Sequence, residues 1–192
     1  MKSPKHALKI GNKSFLEQIV ESVANTANIS DIFISCSEHQ MSDICNSIKS
    51  SINAKFVPDL STHAGAAMAI VDILKKDENI DKNFLVLPVD MPFINSTLIS
   101  LFLERSVPRG SYYTEHYQFP ILIANSQRLS RKLQDNISAN SSIRDLIVES
   151  NAKSVQLQTP HDSSSYLKNI NTPEDYKLWV TNRGQKEHQY GI

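Results

Sequence analysis

Between residues 15 and 87, apolar stripes of helical period alternate with short apolar runs of strand length, and this alternation restricts the chain to few architectures. Phe15, Ile19 and Val23 recur every four residues with Leu16 and Val20 beside them, which predicts a helix. The run from Asp31 to Cys36 reads as a buried strand. Met41, Ile44, Cys45 and Ile48 mark a second helix, Lys55 to Val57 a short strand, Ala66 to Leu74 a third helix, and Phe84 to Leu87 another strand. Helices and strands of these lengths, taken in turn, imply a mainly parallel sheet with right-handed crossovers and helices on both faces.

The rhythm changes after residue 95. Asn95 and Ser96 are candidate caps for a helix over residues 97–104, because their side chains can accept from unpaired amides. Ser111 to Thr114 and Tyr117 to Ala124 read as two strands joined by a tight turn, an antiparallel insertion, with Pro120 predicting an edge or a bulge. Helices are expected over residues 128–133 and 142–148, and strands near Ser154 to Leu157 and Tyr166 to Ile170. Thr172, Pro173 and Asp175 carry the signature of a final helix start, with a capping acid three residues after the cap. Tyr176, Leu178 and Trp179 then serve to seat that helix. One domain over residues 1–180 and a polar tail over 181–192 follow, with no linker or internal repeat.

Composition excludes some functions. The 20 basic residues balance the 20 acidic ones, so no bulk positive field argues for nucleic acid. Cys36 and Cys45 match no zinc spacing and fall on apolar stripes, where cysteine behaves as a small hydrophobe, consistent with a reducing cytosol. No apolar stretch approaches bilayer length, and MKSPKHALK lacks the apolar core of a signal peptide, so a soluble cytoplasmic protein is expected. His6, His39, His63, His116 and His161 show no ligand spacing.

The segment LVLPVDMPF, Leu85 to Phe93, bears most directly on function. A buried strand ends at Pro88 and delivers one carboxylate, Asp90, to its tip before a second proline, Pro92. In open α/β sheets ligands bind at the carboxyl ends of strands, so an acid there can hold a metal against a substrate phosphate. Turn chemistry alone equally describes a solvated Asp-x-Pro acid, and the segment by itself leaves both readings open.

The sequence as a whole resembles the MobA-like NTP transferase family that includes molybdenum cofactor guanylyltransferase. The resemblance spans roughly residues 1–180. It rests on PKHALKIGNKSFLEQIV, the VPD at Val57 to Asp59, HAGAAMAI, LPVDMPF, FPILIA, NSSIRDLI and LKNINTPEDY, in that order. It implies a three-layer α/β/α, Rossmann-like nucleotidyltransferase domain with a small antiparallel insertion. The implied reaction is transfer of a nucleoside monophosphate, GMP from GTP, to a phosphate on molybdopterin, with Mg²⁺ and release of pyrophosphate. Such a reaction needs alignment and charge neutralisation and no acid-base relay. By the same resemblance Lys5 binds triphosphate oxygens, Asp90 holds magnesium, Asp59 lies against the nucleotide, and Asn169 and Asn171 form the rim beside the acceptor. Each has a plainer alternative: Lys5 as a solvated lysine, Asp59 as a turn acid before the Ala66 helix, the asparagines as satisfiers of turn amides.

The departures from the family pattern shape the expectations as much. The family begins with a strand leading into a glycine-rich loop, LAGGxSxRMG, and this chain starts at the position of that loop's methionine. A buried strand of about five apolar residues is worth roughly 10 kcal/mol, comparable to a whole domain's stability, so a marginal fold and little catalysis are expected of these residues alone. Either Met1 is an internal methionine of a longer active enzyme, or the chain is a noncatalytic remnant or binding module. Thr62-His63-Ala64-Gly65-Ala66 replaces the guanylyltransferases' GPLAG, and Ser37 stands for a common Asn. Cytidylyl transfer, or nucleotidyl transfer to sugar or polyol phosphates, therefore remains an alternative.

Overall fold

A computed structural model of the chain describes residues 4–48, 52–59, 65–106, 110–157 and 166–178. Residues 5–7 form a single 3-10 turn, followed by a hairpin of two-residue strands, β1 (Lys9–Ile10) and β2 (Lys13–Ser14), with Gly11 in the left-handed region at its bend. Helix α1 (Phe15–Ala24) starts there because Ser14 and Glu17 complete a reciprocal capping box: Ser14 N donates to Glu17 Oε2 at 2.7 Å and Glu17 N to Ser14 Oγ at 3.2 Å. Strand β3 (Ile32–Cys36), α2 (Glu38–Ser47), β4 (Ala54–Pro58), α3 (Ala66–Leu74) and β5 (Asn83–Val86) follow as the periods predict. Next come α4 (Ser96–Arg105), β6 (Tyr112–Thr114), β7 (Ile121–Ala124), α5 (Gln127–Asn136), α6 (Ile143–Glu149) and β8 (Lys153–Val155). A last helix, α7, spans residues 173–178. Asn95 caps α4 by accepting from Leu98 N at 2.9 Å, and Ser142 and Asp145 box the start of α6.

β3 pairs with β4 in parallel, Ile32 facing Ala54 through Cys36 facing Pro58. A four-stranded sheet runs in the order β5-β7-β6-β8. β7 is antiparallel to both neighbours while β6 and β8 are parallel, so β5, β6 and β8 share one direction and β7 is the antiparallel insertion. The side chains of β7 alternate between two layers. Ile121 and Ile123 bury against α3, α5 and α6 with Val71, Leu133 and Leu146, whereas Leu122 joins Leu98, Phe102 and Val155 on the α4 side. Helices therefore cover both faces, and the expected three-layer α/β arrangement is present. The α1 stripe packs Leu16 and Val20 onto Ile34 and Cys36 of β3 with Ile44 of α2.

Three local expectations differ. Residues 166–170 form a turn and an irregular segment, in which Leu167 buries in the α4 layer and Ile170 beside Phe15 and Phe93. Pro120 precedes β7, joined to Phe119 by a cis bond, and β7 is central, so the proline marks neither an edge strand nor a bulge. Cys36 is buried as expected, but Cys45 is exposed: α2 turns Ile44 inward and leaves its neighbour outside the stripe. Trp179, His63, His161 and the 181–192 tail lie outside the described residues. Among the described residues no helix is long and apolar enough to cross a membrane.

Candidate functional site

The carboxyl end of β5 continues through Leu87, Pro88 and Val89 to Asp90, and the chain around that acid is fixed from three directions. Met91 and Ile94 are buried just beyond it in the layer of α4, anchoring the loop that carries the carboxylate. Ile170 N donates to the carbonyl of Asp90 at 2.8 Å, tying in the segment that leads to α7. Val89 packs against the core around Ile34 and Cys36, and also against Phe15, Phe93 and Ile170. Asp90 is half-buried at the rim rather than a solvated turn acid.

Lys5 reaches this rim from the opposite end of the sequence. Its Nζ stands 3.0 Å from Asp90 Oδ2 and also donates to Asn171 Oδ1. The lysine is aimed because the 3-10 turn that carries it leads into a hairpin sealed to the fold: Phe15 N donates to Leu8 O at 2.8 Å, and Tyr176 Oη donates to Lys9 O. The rings of Phe15 and Tyr176 meet at 6.2 Å, so α7 and the N-terminal hairpin position each other. Asn171 is held by its own backbone: its N–H, like that of Thr172, donates to Asp175 Oδ2, at 3.3 and 3.0 Å. Asp175 N returns a bond to Thr172 Oγ1 at 3.0 Å. The hydroxyl of Thr172, then the amides of Thr172 and Asn171, hold the Asp175 carboxyl below the ordinary carboxylate range.

Asp59 sits at the tip of β4. Its amide donates to Cys36 O at 2.9 Å and its carboxylate accepts from the Ser35 hydroxyl, so it is bound to β3 and does not cap α3, whose cap is Gly65. Burial pushes the Cys36 thiol pKa up, and the charge of Asp59 adds to that. The geometry thus brings Lys5, Asp90 and Asn171 into direct contact and holds Asp59 with Ser35 on the neighbouring ladder. Asn169 is exposed and joins neither group. Thr62, His63 and Ala64 lie outside the described residues. Sequence reasoning did not single out Ser35, although its position two residues after Phe33 puts it on the same side of β3 and one step from the strand's end.

The donor set can be tested against a cation. Among the described residues no group of three or more His, Cys, Asp or Glu converges, so no closed metal cage exists. A single half-buried carboxylate beside a lysine instead suits a hard cation that keeps waters and shares its remaining positions with substrate phosphates.

The profile of the MobA-like NTP transferase domain matches residues 1–155, and the chain belongs to that family of nucleotidyltransferases. No curated protein matches the sequence. Solved structures share the fold at low identity. The 4-diphosphocytidyl-2C-methyl-D-erythritol synthase of Anaerococcus prevotii has 14% identity and a TM-score of 0.69, over 92% of this chain and 88% of that one. A cytidylyltransferase from Leptospira borgpetersenii has 20% identity and a TM-score of 0.65, over 92% and 78%. Rv0371c from Mycobacterium tuberculosis, solved as a complex with manganese, has 12% identity and a TM-score of 0.63, over 94% and 93%.

Proposed function

We propose that the chain transfers GMP from GTP to a terminal phosphate of molybdopterin in the cytoplasm, using Mg²⁺ and releasing pyrophosphate. An acceptor phosphate oxygen bonds to the α-phosphorus as the α–β bridging bond breaks, and the pyrophosphate leaves with that electron pair. The observation that carries this reading is the contact of Lys5, Asp90 and Asn171 at the end of β5. Asp90 is the magnesium ligand, and the cation supplies charge neutralisation at the phosphates. Lys5 stabilises triphosphate oxygens, Asp59 faces the nucleoside, and Asn171, with Asn169 beyond it, borders the acceptor.

A second reading, cytidylyl transfer, is favoured by the synthase and the cytidylyltransferase among the solved structures of this fold. Both readings make one demand on Lys5: without ligand its ammonium is neutralised by Asp90, and with a nucleotide it would turn to the phosphates, leaving the Asp90 carboxylate free to hold a divalent ion. A thermal-shift screen of GTP, CTP, ATP and UTP with and without magnesium tests them, since selective binding to the folded state raises stability. GTP with magnesium is expected to give the largest shift. A larger shift with CTP would transfer the proposal to the cytidylyl reading, and no shift with any nucleotide would leave a noncatalytic module.

A further inference from the structure

The carboxyl ends of β6 and β8 lie side by side and open onto a cavity of about 200 Å³, lined by Thr114, Glu115, Tyr117, Gln156, Leu157 and Leu167. The main chain there is satisfied: Glu115 N donates to Val155 O at 3.0 Å and Tyr117 N to Thr114 O at 3.3 Å, closing the turn that leads back towards β7. Two side-chain oxygens are not. Thr114 is 2% exposed and stands on the α4 face of β6, two residues after Tyr112 and in the layer of Leu157 and Leu167, yet its Oγ1 has no hydrogen-bond partner among the described residues. Glu115 Oε2 is likewise shut off from solvent and likewise unpartnered.

Folded proteins leave few buried polar atoms unpaired, and a carboxylate oxygen is among the costliest to leave so. The partner this cavity calls for is therefore a hydrogen-bond donor. Among the described residues no cluster of three metal-ligating side chains forms, and the walls supplied by Leu157, Leu167 and the Tyr117 ring offer nothing to a cation's hydration shell. The further hydroxyls of a polyol would meet the same apolar walls without partners. A flat ring that carries N–H groups suits both surfaces, since its faces cover the apolar walls while its edge donates to Glu115 and exchanges a bond with the Thr114 hydroxyl. The volume, several times the roughly 30 Å³ that a water occupies in the liquid, admits a ring.

The cavity is tied to the Lys5–Asp90 rim by the sheet and by one loop. Val86 and Tyr113 pair with Ile121 from its two sides, so β5 and β6 end level with each other, two ladder spacings or about 10 Å apart. The loop before α7 then spans that distance: Leu167 lines the cavity, Ile170 N donates to the carbonyl of Asp90, and Asn171 accepts from Lys5.

We propose that this cavity receives the far end of the acceptor, a planar amino-substituted heterocycle whose N–H groups donate to Glu115, with the acceptor's phosphate about 10 Å away at the rim. The proposal rests on the transferase reading above and adds to it the chemistry of the acceptor's head and the side chain that selects it. Pterin and lumazine test it, because lumazine carries a carbonyl oxygen where pterin carries its amino group. Each is titrated into the full chain and followed by residue-resolved NMR. Pterin should bind at least about tenfold tighter than lumazine and shift the amides of Glu115, Leu157 and Leu167. Glu115→Met, which keeps the side chain's length and removes its acceptors, should lower pterin affinity by about tenfold, to that of lumazine. Equal binding of the two rings by the unaltered chain, or unchanged pterin affinity in Glu115→Met, would overturn the proposal. Ribitol producing the same Glu115-dependent shifts would give the cavity to a polyol and overturn it as well. A nucleotide shift in the thermal screen together with equal binding of pterin and lumazine would spare the transferase reading and end this one. Discrimination by Glu115 with no nucleotide shift would do the reverse, keeping the amino-heterocycle site and ending the transferase reading.

Discussion

Replacing Asp90 with alanine separates a structural carboxylate from a functional one, because the contacts that position residue 90 do not use its side chain. The bond from Ile170 goes to the main-chain oxygen of Asp90, and the neighbours that bury, Met91 and Ile94, are untouched. What the substitution removes is the ion pair with Lys5, whose side chain is 37% exposed against 20% for Asp90. Solvent screening at that exposure limits the pair to about 0.5–1 kcal/mol. At about 2–4 °C per kcal/mol for a chain of this size, the melting temperature should fall by about 1–4 °C. The loss on the functional side is larger. A nucleotide at a hundred times its Kd stabilises by about 2.7 kcal/mol, or about 5–11 °C, and the magnesium-dependent part of that shift should vanish in Asp90→Ala. Scanning fluorimetry with nucleotide alone and with nucleotide plus magnesium reads both numbers in one plate. A variant that keeps the full magnesium-dependent shift would remove Asp90 from the metal site, and one that melts more than about 10 °C lower would make its role structural.

Lys5→Ala should weaken triphosphate binding by about 10- to 100-fold in titration calorimetry, the range of one charge-assisted hydrogen bond at 1.4 kcal/mol per decade; unchanged affinity would return Lys5 to the solvated lysines. Thr172→Ala removes the cap of α7 and should cost about 1 kcal/mol, a drop of about 2–4 °C in melting temperature, whereas an unaltered melt would mean that α7 is held by Tyr176 alone. Asp145, Glu149 and Asp175 are all held below the ordinary carboxylate range, by bonds from Ser142, from Asn136 and Lys132, and from Thr172 and Asn171 respectively. Their folded pKa values lie below their unfolded ones, so their contribution is complete above about pH 5 and is lost as pH falls through the folded values. Stability followed from pH 6 to pH 3 should decline on the acid side, and a flat profile would contradict the three carboxylate contacts.

The elements that were legible are those whose boundaries are local. The α3 stripe, the Asn95 cap of α4 and the Thr172–Asp175 box of α7 each rest on residues within a few positions, and each formed as read. Misreadings arose where tertiary partners decide. Leu167 and Ile170 look like strand residues, yet they bury as anchors of a loop that bonds to Asp90 through the Ile170 amide. Cys45 joins an apolar stripe on a helical wheel, yet α2 meets the core through Ile44 with Met41 and Ile48 beside it, a face that leaves Cys45 outside. The contact of Lys5 with Asn171 has no local signal, since the two meet across 166 positions and no periodicity links them, whereas the place of Asp90 beyond a buried strand was readable from its own segment. Neither the hydroxyl of Ser35 on Asp59 nor the break between β3 and β5 leaves a local trace, because each depends on which strands lie side by side.

That break bears on how the two halves of the site are held. Lys5, Asp90 and Asn171 form one unit, locked by backbone bonds among the N-terminal turn, the loop after β5 and the start of α7. Asp59 and Ser35 form another, locked by the β3–β4 ladder. Within each unit, hydrogen-bonded backbone fixes the side chains tightly, since ladder spacing holds neighbouring strands about 4.8 Å apart. Between the units run α1, which follows the N-terminal hairpin and packs Leu16 and Val20 onto Ile34 and Cys36, and the side-chain contacts of Phe33 with Phe84 and of Val89 with the same cluster. The separation of Asp59 from Asp90 is thus set by packing, since among the described residues no ladder joins β3 to β5. On the function proposed above, a nucleotide reaching both acids would fix that separation as it binds, at a cost in ordering. A mononucleotide should accordingly slow amide exchange in both units, while inorganic pyrophosphate, which on the same reading needs only the Lys5 half, should slow it in that unit alone. Equal protection by both ligands would show that the two halves already move as one body.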